Sequence, residues 1–224
     1  MKRLLIALLI VIPLTGASGR KAKRYDVRSF MVYAGATLSN YSKLSPWAMP
    51  LDLEFRQQKT TGPAAGIGYE VPWNEHFSID VRFQYTRKGT SLDWFFRGQP
   101  QGTWTYKLFT LSDATTLKYK VLSGSSPYLL GGYDLAWVFS HKLAGSGGPA
   151  IPSSELKAAT HDVDFGAVVG IGAELVLKGW TPFLEVRYNI GFLNLSNGEF
   201  EYFPATRTRA LLLIAGIKFP VKTT

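Results

Sequence analysis

Histidine is the side chain best suited to act as a base near neutral pH, and this sequence has three: His76, His141 and His161. His141 and His161 bracket one stretch of chain, with Ser140, Ser153, Ser154, Asp162 and Asp164 close by. These are the residue types of a Ser-His-Asp hydrolase. Such chemistry needs the base within hydrogen-bond reach of both partners, and residue types alone do not establish that. His161, Asp162 and Asp164 also resemble a metal-ligand cluster. His161 and Asp162 are adjacent, however, so in extended chain they leave opposite faces. Cysteine is absent, which removes thiolate chemistry, disulfides and a lipidated N-terminal cysteine. The expectation is no metal, no cofactor and no catalytic residue. A lipid-acting enzyme using His141 or His161 stands as a third reading behind two non-enzymatic ones.

The elements that must hold these residues announce themselves by a period of two. In residues 181–193, Leu184, Val186, Tyr188, Ile190 and Phe192 alternate with Glu185, Arg187, Asn189 and Gly191. One face is apolar and the other carries both charge signs, which is a strand pattern. Seven more segments follow the same rule, at about 28–39, 64–71, 76–87, 114–122, 127–140, 161–177 and 207–219. The links at 72–75, 123–126 and 178–180 are short, whereas those at 40–63, 88–113, 141–160 and 194–206 are long. Short turns at one end and long loops at the other are how outer-membrane barrels are built, with the short turns periplasmic. The expected fold is therefore all-β: an eight-stranded antiparallel up-and-down transmembrane β-barrel with short periplasmic turns and long extracellular loops.

Composition agrees. Charged residues make up 18% and aromatics 14% of the chain, and the mean hydropathy is +0.02. That apolarity is spread over short alternating segments, as a membrane barrel requires. Residues 1–19 read as a secretory signal peptide: Lys2 and Arg3, an apolar run, then small residues. Residues 20–224 form the barrel, placed in the outer membrane. The net charge of +9 does not gather into an aromatic-interleaved basic patch, so nucleic acid is not an expected partner. Contact with anionic headgroups of outer-membrane lipid and lipopolysaccharide accounts for the surplus.

Inside such a barrel the polar faces meet. Glu70, Asp80, Asp134, Asp164, Glu174 and Glu185 face Arg82, Lys118, Lys120, Arg187 and Lys218, six acids to five bases. Buried charges persist only when paired, and eight strands leave room for side chains but no wide channel. The expectation is a plugged barrel. Trp73, Trp137, Trp180, Phe192 and Phe219 lie near strand ends, as an aromatic girdle would.

Several of these segments, in order, resemble a known family. They are YTRKGTSL at 85–92, SPYLLGGYDLAWVFS, HDVDFGAVVGIGAEL, EVRYNIGFLNL and RTRALLLIAGIKF. They are similar to the PorT-like outer-membrane β-barrel proteins of Bacteroidetes-type bacteria. The resemblance covers the third to eighth strands and implies an outer-membrane barrel without catalytic residues; for PorT itself it implies a role in type nine protein secretion. Lys88, Gly89, Asp164, Gly166, Gly170, Gly172, Glu174, Arg187, Tyr188 and Gly191 match its recurrent positions and read as barrel-building.

The loops carry the remaining signal. Trp94, Phe95, Phe96 and Trp104 crowd one of them, and Phe200, Tyr202 and Phe203 another. Aromatics at this density mark a contact surface or a wall extending beyond the membrane. The functional expectation is a structural or accessory component of a cell-envelope machine, with protein secretion implied by the resemblance and other envelope proteins as partners. The alternative is a surface ligand-binding or adhesion barrel that uses these aromatic loops.

Overall fold

The computed structural model describes residues 27–42, 52–122, 125–147, 154–198 and 206–221. The expected signal at 1–19, Ser153, and Phe200, Tyr202 and Phe203 lie outside them. The described chain is all strand and turn: β1 (Ser29–Ser42), β2 (Leu53–Pro72), β3 (Phe77–Phe96), β4 (Gln99–Lys120), β5 (Ser126–Ser146), β6 (Ser154–Glu155), β7 (Val163–Glu174), β8 (Thr181–Gly191) and β9 (Arg207–Pro220).

Every pairing is antiparallel, and the order β4-β3-β2-β1-β9-β8-β7-β5 returns to its start through a β4–β5 ladder. Each of the eight long strands thus has a neighbour on both sides, which closes the barrel; above it, residues 53–59 of β2 have a described ladder with β3 only. β6 is a two-residue addition to β5, pairing Lys142 with Glu155 and Leu143 with Ser154. Alternation sets the two faces. Phe83, Leu129, Val169, Ile171, Leu184 and Leu213 point out and stand about half exposed, while Arg82, Arg187, Lys118 and Asp80 point in and are fully buried. The hydrophobic pattern is that of a globular protein turned inside out, as a lipid solvent demands.

Four strands run well past the expected ends. Residues 53–63 belong to β2, 88–96 to β3, 99–113 to β4 and 141–146 to β5. Two of the expected long loops, 40–63 and 88–113, are therefore largely sheet. The β3–β4 connection shrinks to Arg97 and Gly98, both with positive φ (49° and 76°), the conformation that turns a tight hairpin with the right twist. In the opposite direction, the 161–177 segment shortens to β7. Ladder irregularities at Lys59/Ala64, Trp94/Phe95 and Phe109/Thr110 shift the alternation there.

The outward apolar belt has defined limits. Trp73, Trp180 and Phe219 are exposed at the short-turn end; Trp137, Phe139, Phe165 and Phe192 are exposed towards the other. Beyond these come outward cations: Arg87 on β3, Lys107 on β4, Lys142 on β5 and Arg209 on β9. In β5 the membrane-spanning part thus ends at Phe139.

Candidate functional site

The interior is filled in layers, built where inward positions of facing strands reach the same height. At the short-turn end, Glu70 (β2) and Glu174 (β7) receive three ammonium groups. Lys218 bridges both acids, lying 2.7 Å from Glu174 Oε2 and in contact with Glu70. Lys120 also spans them, at 2.7 Å from Glu174 Oε1 and 3.5 Å from Glu70 Oε1. Lys118 pairs with Glu174, lies 3.4 Å from Glu70, and sits 3.9 Å from the centre of the Tyr128 ring. Ser78 Oγ donates to Glu70 Oε1 at 2.7 Å.

The next layer centres on Glu185 (β8). Arg82 (β3) donates to both its oxygens, at 2.9 and 2.7 Å, a planar two-point match. Arg187 Nε donates at 2.8 Å and the Tyr128 hydroxyl at 2.6 Å. Arg82 also reaches Asp80 Oδ2 at 2.7 Å, and its guanidinium lies over the rings of Tyr33 and Phe183. Tyr128 reaches Glu185 because Gly172 lets its ring lie flat against β7: a Cβ there would fall 2.5 Å from Tyr128 Cζ.

Higher still, Lys88 Nζ lies 3.4 Å from Asp134 and 3.8 Å from Asp164. Asn189 Nδ2 donates to Asp134 at 2.7 Å, and Thr208 Oγ1 to Asp164 at 2.6 Å. All eleven charged residues expected in the lumen face inward, Lys120 being the least enclosed at 22% side-chain exposure. Lys88 is the member that sequence reading left out of the network. Continuing the 76–87 alternation by one more inward step would have placed it there. With Lys88 the count becomes six acids and six bases, distributed unevenly: three bases to two acids at the short-turn end, two to two in the middle, one to two at the top.

Above the charges the lumen turns apolar. Tyr41, Leu92, Tyr106, Leu108, Val138, Leu143, Leu156 and Leu195 form a buried cluster. The segments after β5 and β8 fold over the opening to complete it. Leu156 N donates to His141 O, His161 N to Leu195 O and Leu195 N to Thr206 O, and Thr160 bridges to Ser196. His141 lies at the heart of this plug, beyond the membrane-spanning part of β5. Its Nε2 is 3.1 Å from Tyr41 Oη and its Nδ1 2.8 Å from Thr160 Oγ1. Burial, then the charge on Lys157, pushes its pKa down to about 3; burial likewise pushes Tyr106 up to about 12. A neutral imidazole between two hydroxyls is a structural bridge.

The hydrolase reading does not assemble. Asp164 is held in the lumen by Thr208 and Lys88, Asp162 pairs with Lys157, and Ser140 faces Glu155. His161 is exposed, and His76 stands at the other end of the barrel against the Lys120 carbonyl. Among the described residues no three His, Asp or Glu side chains gather as a metal-holding group.

The aromatic residues expected in a loop sit instead on the projecting β2–β3–β4 sheet. Trp94 and Trp104 lie 6.3 Å apart, and Trp104 packs on Phe55 at 5.6 Å beside the plug. Phe95 lies under the Arg56 guanidinium at 4.6 Å, Phe96 under Arg97 at 5.2 Å. Only Phe96 of the four is largely exposed, at 42%.

A family model described as "Outer membrane protein beta-barrel domain" matches residues 6–219. No curated protein matches the sequence. Solved structures with a similar course of chain include the outer membrane protein OprG from Pseudomonas aeruginosa (11% identity, TM-score 0.48, covering 89% of this chain and 98% of that one). Ail, the attachment invasion locus protein of Yersinia pestis, gives 14%, 0.43, 87% and 99%. The outer membrane protease OmpT from Escherichia coli gives 8%, 0.46, 92% and 100%.

Proposed function

From the premise that the chain belongs to the outer membrane protein β-barrel domain family, we propose a sealed, non-enzymatic barrel that works from its surfaces as a structural or accessory component of a cell-envelope machine. A single observation carries this: three buried charge layers and an apolar plug fill the lumen, so its chemistry is spent on holding the wall together. In this reading residues 1–19 are a cleaved leader, the short turns face the periplasm, and the β2–β3–β4 projection stands outside the cell.

Lipid and lipopolysaccharide are the proposed immediate partners. Lys107 and Lys142 sit directly opposite each other in the β4–β5 ladder, an arrangement that like charges disfavour. Among the described residues, none of Arg87, Lys107 and Lys142 has a carboxylate within ion-pair distance. Phosphates at the upper edge of the apolar belt would supply the missing charge.

The machine we favour is protein export of the type nine kind, supported by the five ordered segments that resemble PorT-like barrels. The test is release of cargo in a strain lacking the gene. Export substrates should accumulate in the periplasm and be released again when the wild-type gene is restored; normal release would refute the export role. A second reading, adhesion or ligand binding at the cell surface, rests on the paired cation–aromatic contacts of Arg56 with Phe95 and Arg97 with Phe96 at the tip. Deleting residues 94–104 should then abolish surface binding while leaving cargo release unchanged.

A further inference from the structure

We propose that the short-turn mouth of the barrel binds a monoanionic carboxylate carried on an apolar group. A cavity of about 580 Å³ opens at this end, within the size range of small-ligand sites. Its floor is the lowest charge layer, and its walls include Val27, Phe77, Leu177 and Trp180. Among the described residues the floor holds three lysines to two carboxylates, because Lys118, Lys120 and Lys218 share Glu70 and Glu174. The layer above is balanced and does not cancel this surplus.

Lys120 is the group an incoming ligand meets. Its side chain is 22% exposed, against 0% for Lys118 and 3% for Lys218. The surplus also sets the ligand's charge. One negative charge completes the floor, whereas a dianion would be repelled by the two carboxylates already there. Glu75 stands on the exposed rim, where solvent screens it. The apolar walls require that the rest of the ligand be apolar. The terminal carboxylate of a protein chain and a fatty acid share this chemistry.

Only the assignment of this mouth to the periplasm rests on the surface-acting role proposed above. A binding assay on the purified barrel does not use that assignment, so the two fail separately. The barrel in lipid nanodiscs would be titrated with N-acetylphenylalanine and with hexanoate, each against its uncharged counterpart, N-acetylphenylalaninamide and hexanol. At least one acid should bind about ten-fold more tightly than its neutral partner. Preference for N-acetylphenylalanine identifies a chain end as the source, preference for hexanoate a fatty acid. Lys120→Gln should lose about ten-fold, Lys120→Arg should retain binding, and Lys59→Gln, exposed on β2 at the far end, should be unchanged. Should Lys120→Gln fail to fold, Leu177→Asp on the exposed rim should weaken acid binding without touching the ion pairs. Equal affinity for acid and neutral partner, no binding of either acid, or indifference to both Lys120→Gln and Leu177→Asp would overturn the proposal.

Discussion

Arg82 and Glu185, 103 positions apart, meet across the lumen through two hydrogen bonds of 2.9 and 2.7 Å, with both side chains fully enclosed. The pair ties β3 to β8, strands that share no ladder. It is one of several crossbars over the neighbour-to-neighbour ladders: Lys118 (β4) with Glu174 (β7) and Lys88 (β3) with Asp164 (β7) also join strands that share no ladder.

A buried pair of this kind costs far more to break than to replace. Arg82→Met should lower stability by about 3–5 kcal/mol, because Asp80 loses its ion-pair partner and Glu185 keeps only Arg187, which leaves the layer with an uncompensated buried charge. The double change Arg82→Met with Glu185→Leu should recover part of that loss. Urea midpoints of the barrel refolded in liposomes measure both; a double variant no more stable than the single would contradict the crossbar reading.

The top layer carries the opposite imbalance, with Lys88 serving both Asp134 and Asp164. Asp134→Asn should therefore be close to neutral, within about 1 kcal/mol, while Lys88→Met should cost several-fold more by leaving two buried carboxylates unpaired. The same urea titrations decide between this asymmetry and equal losses.

His141 gives the plug a pH dependence of known sign. In the folded chain its pKa is lowered to about 3, while in the unfolded chain it is near 6.5. Only the unfolded state takes up the proton between those values. Stability tied to His141 is thus intact above about pH 6.5 and declines as pH falls towards 3, by on the order of 3 kcal/mol at pH 4. His141→Phe removes the titrating group, so the stability difference between wild type and variant should shrink by about that amount from pH 7 to pH 4. A pH-independent difference would show that His141 is not held neutral in the plug.

The sequence was most legible where lipid dictates the pattern. Residues 76–85 and 184–192 show their strand identity because apolar side chains face lipid while polar side chains and glycine face the lumen; Phe183, Leu212 and Ile214, inward and apolar, break that rule. The rule weakens above the belt, where 53–63 reads FRQQKTT in its middle and both faces are polar; the Lys59/Ala64 irregularity then shifts the phase. The rule reverses in the plug. Leu92, Leu108 and Leu143 are apolar and point inward, so treating apolar residues as lipid-facing misplaces them. His141 looked like a partner of His161, four strands' worth of closure away from Tyr41. Only the ring of pairings brings Tyr41 at the end of β1 to it. Lys88 was visible as a residue but not as a partner, since its acids lie 46 and 76 positions on.

A lumen sealed by three charge layers and a plug passes no ions, so conductance is the measurement to make. The purified wild-type barrel inserted in a planar bilayer should show no steady ionic current across the voltages the membrane tolerates. Removing the crossbar and the plug together, with Arg82→Ala, Glu185→Ala and Leu156→Ser, should introduce current. A steady, ohmic current from the wild-type protein would mean that the charge layers line an open path, and the account of a barrel that works from its surfaces would fail.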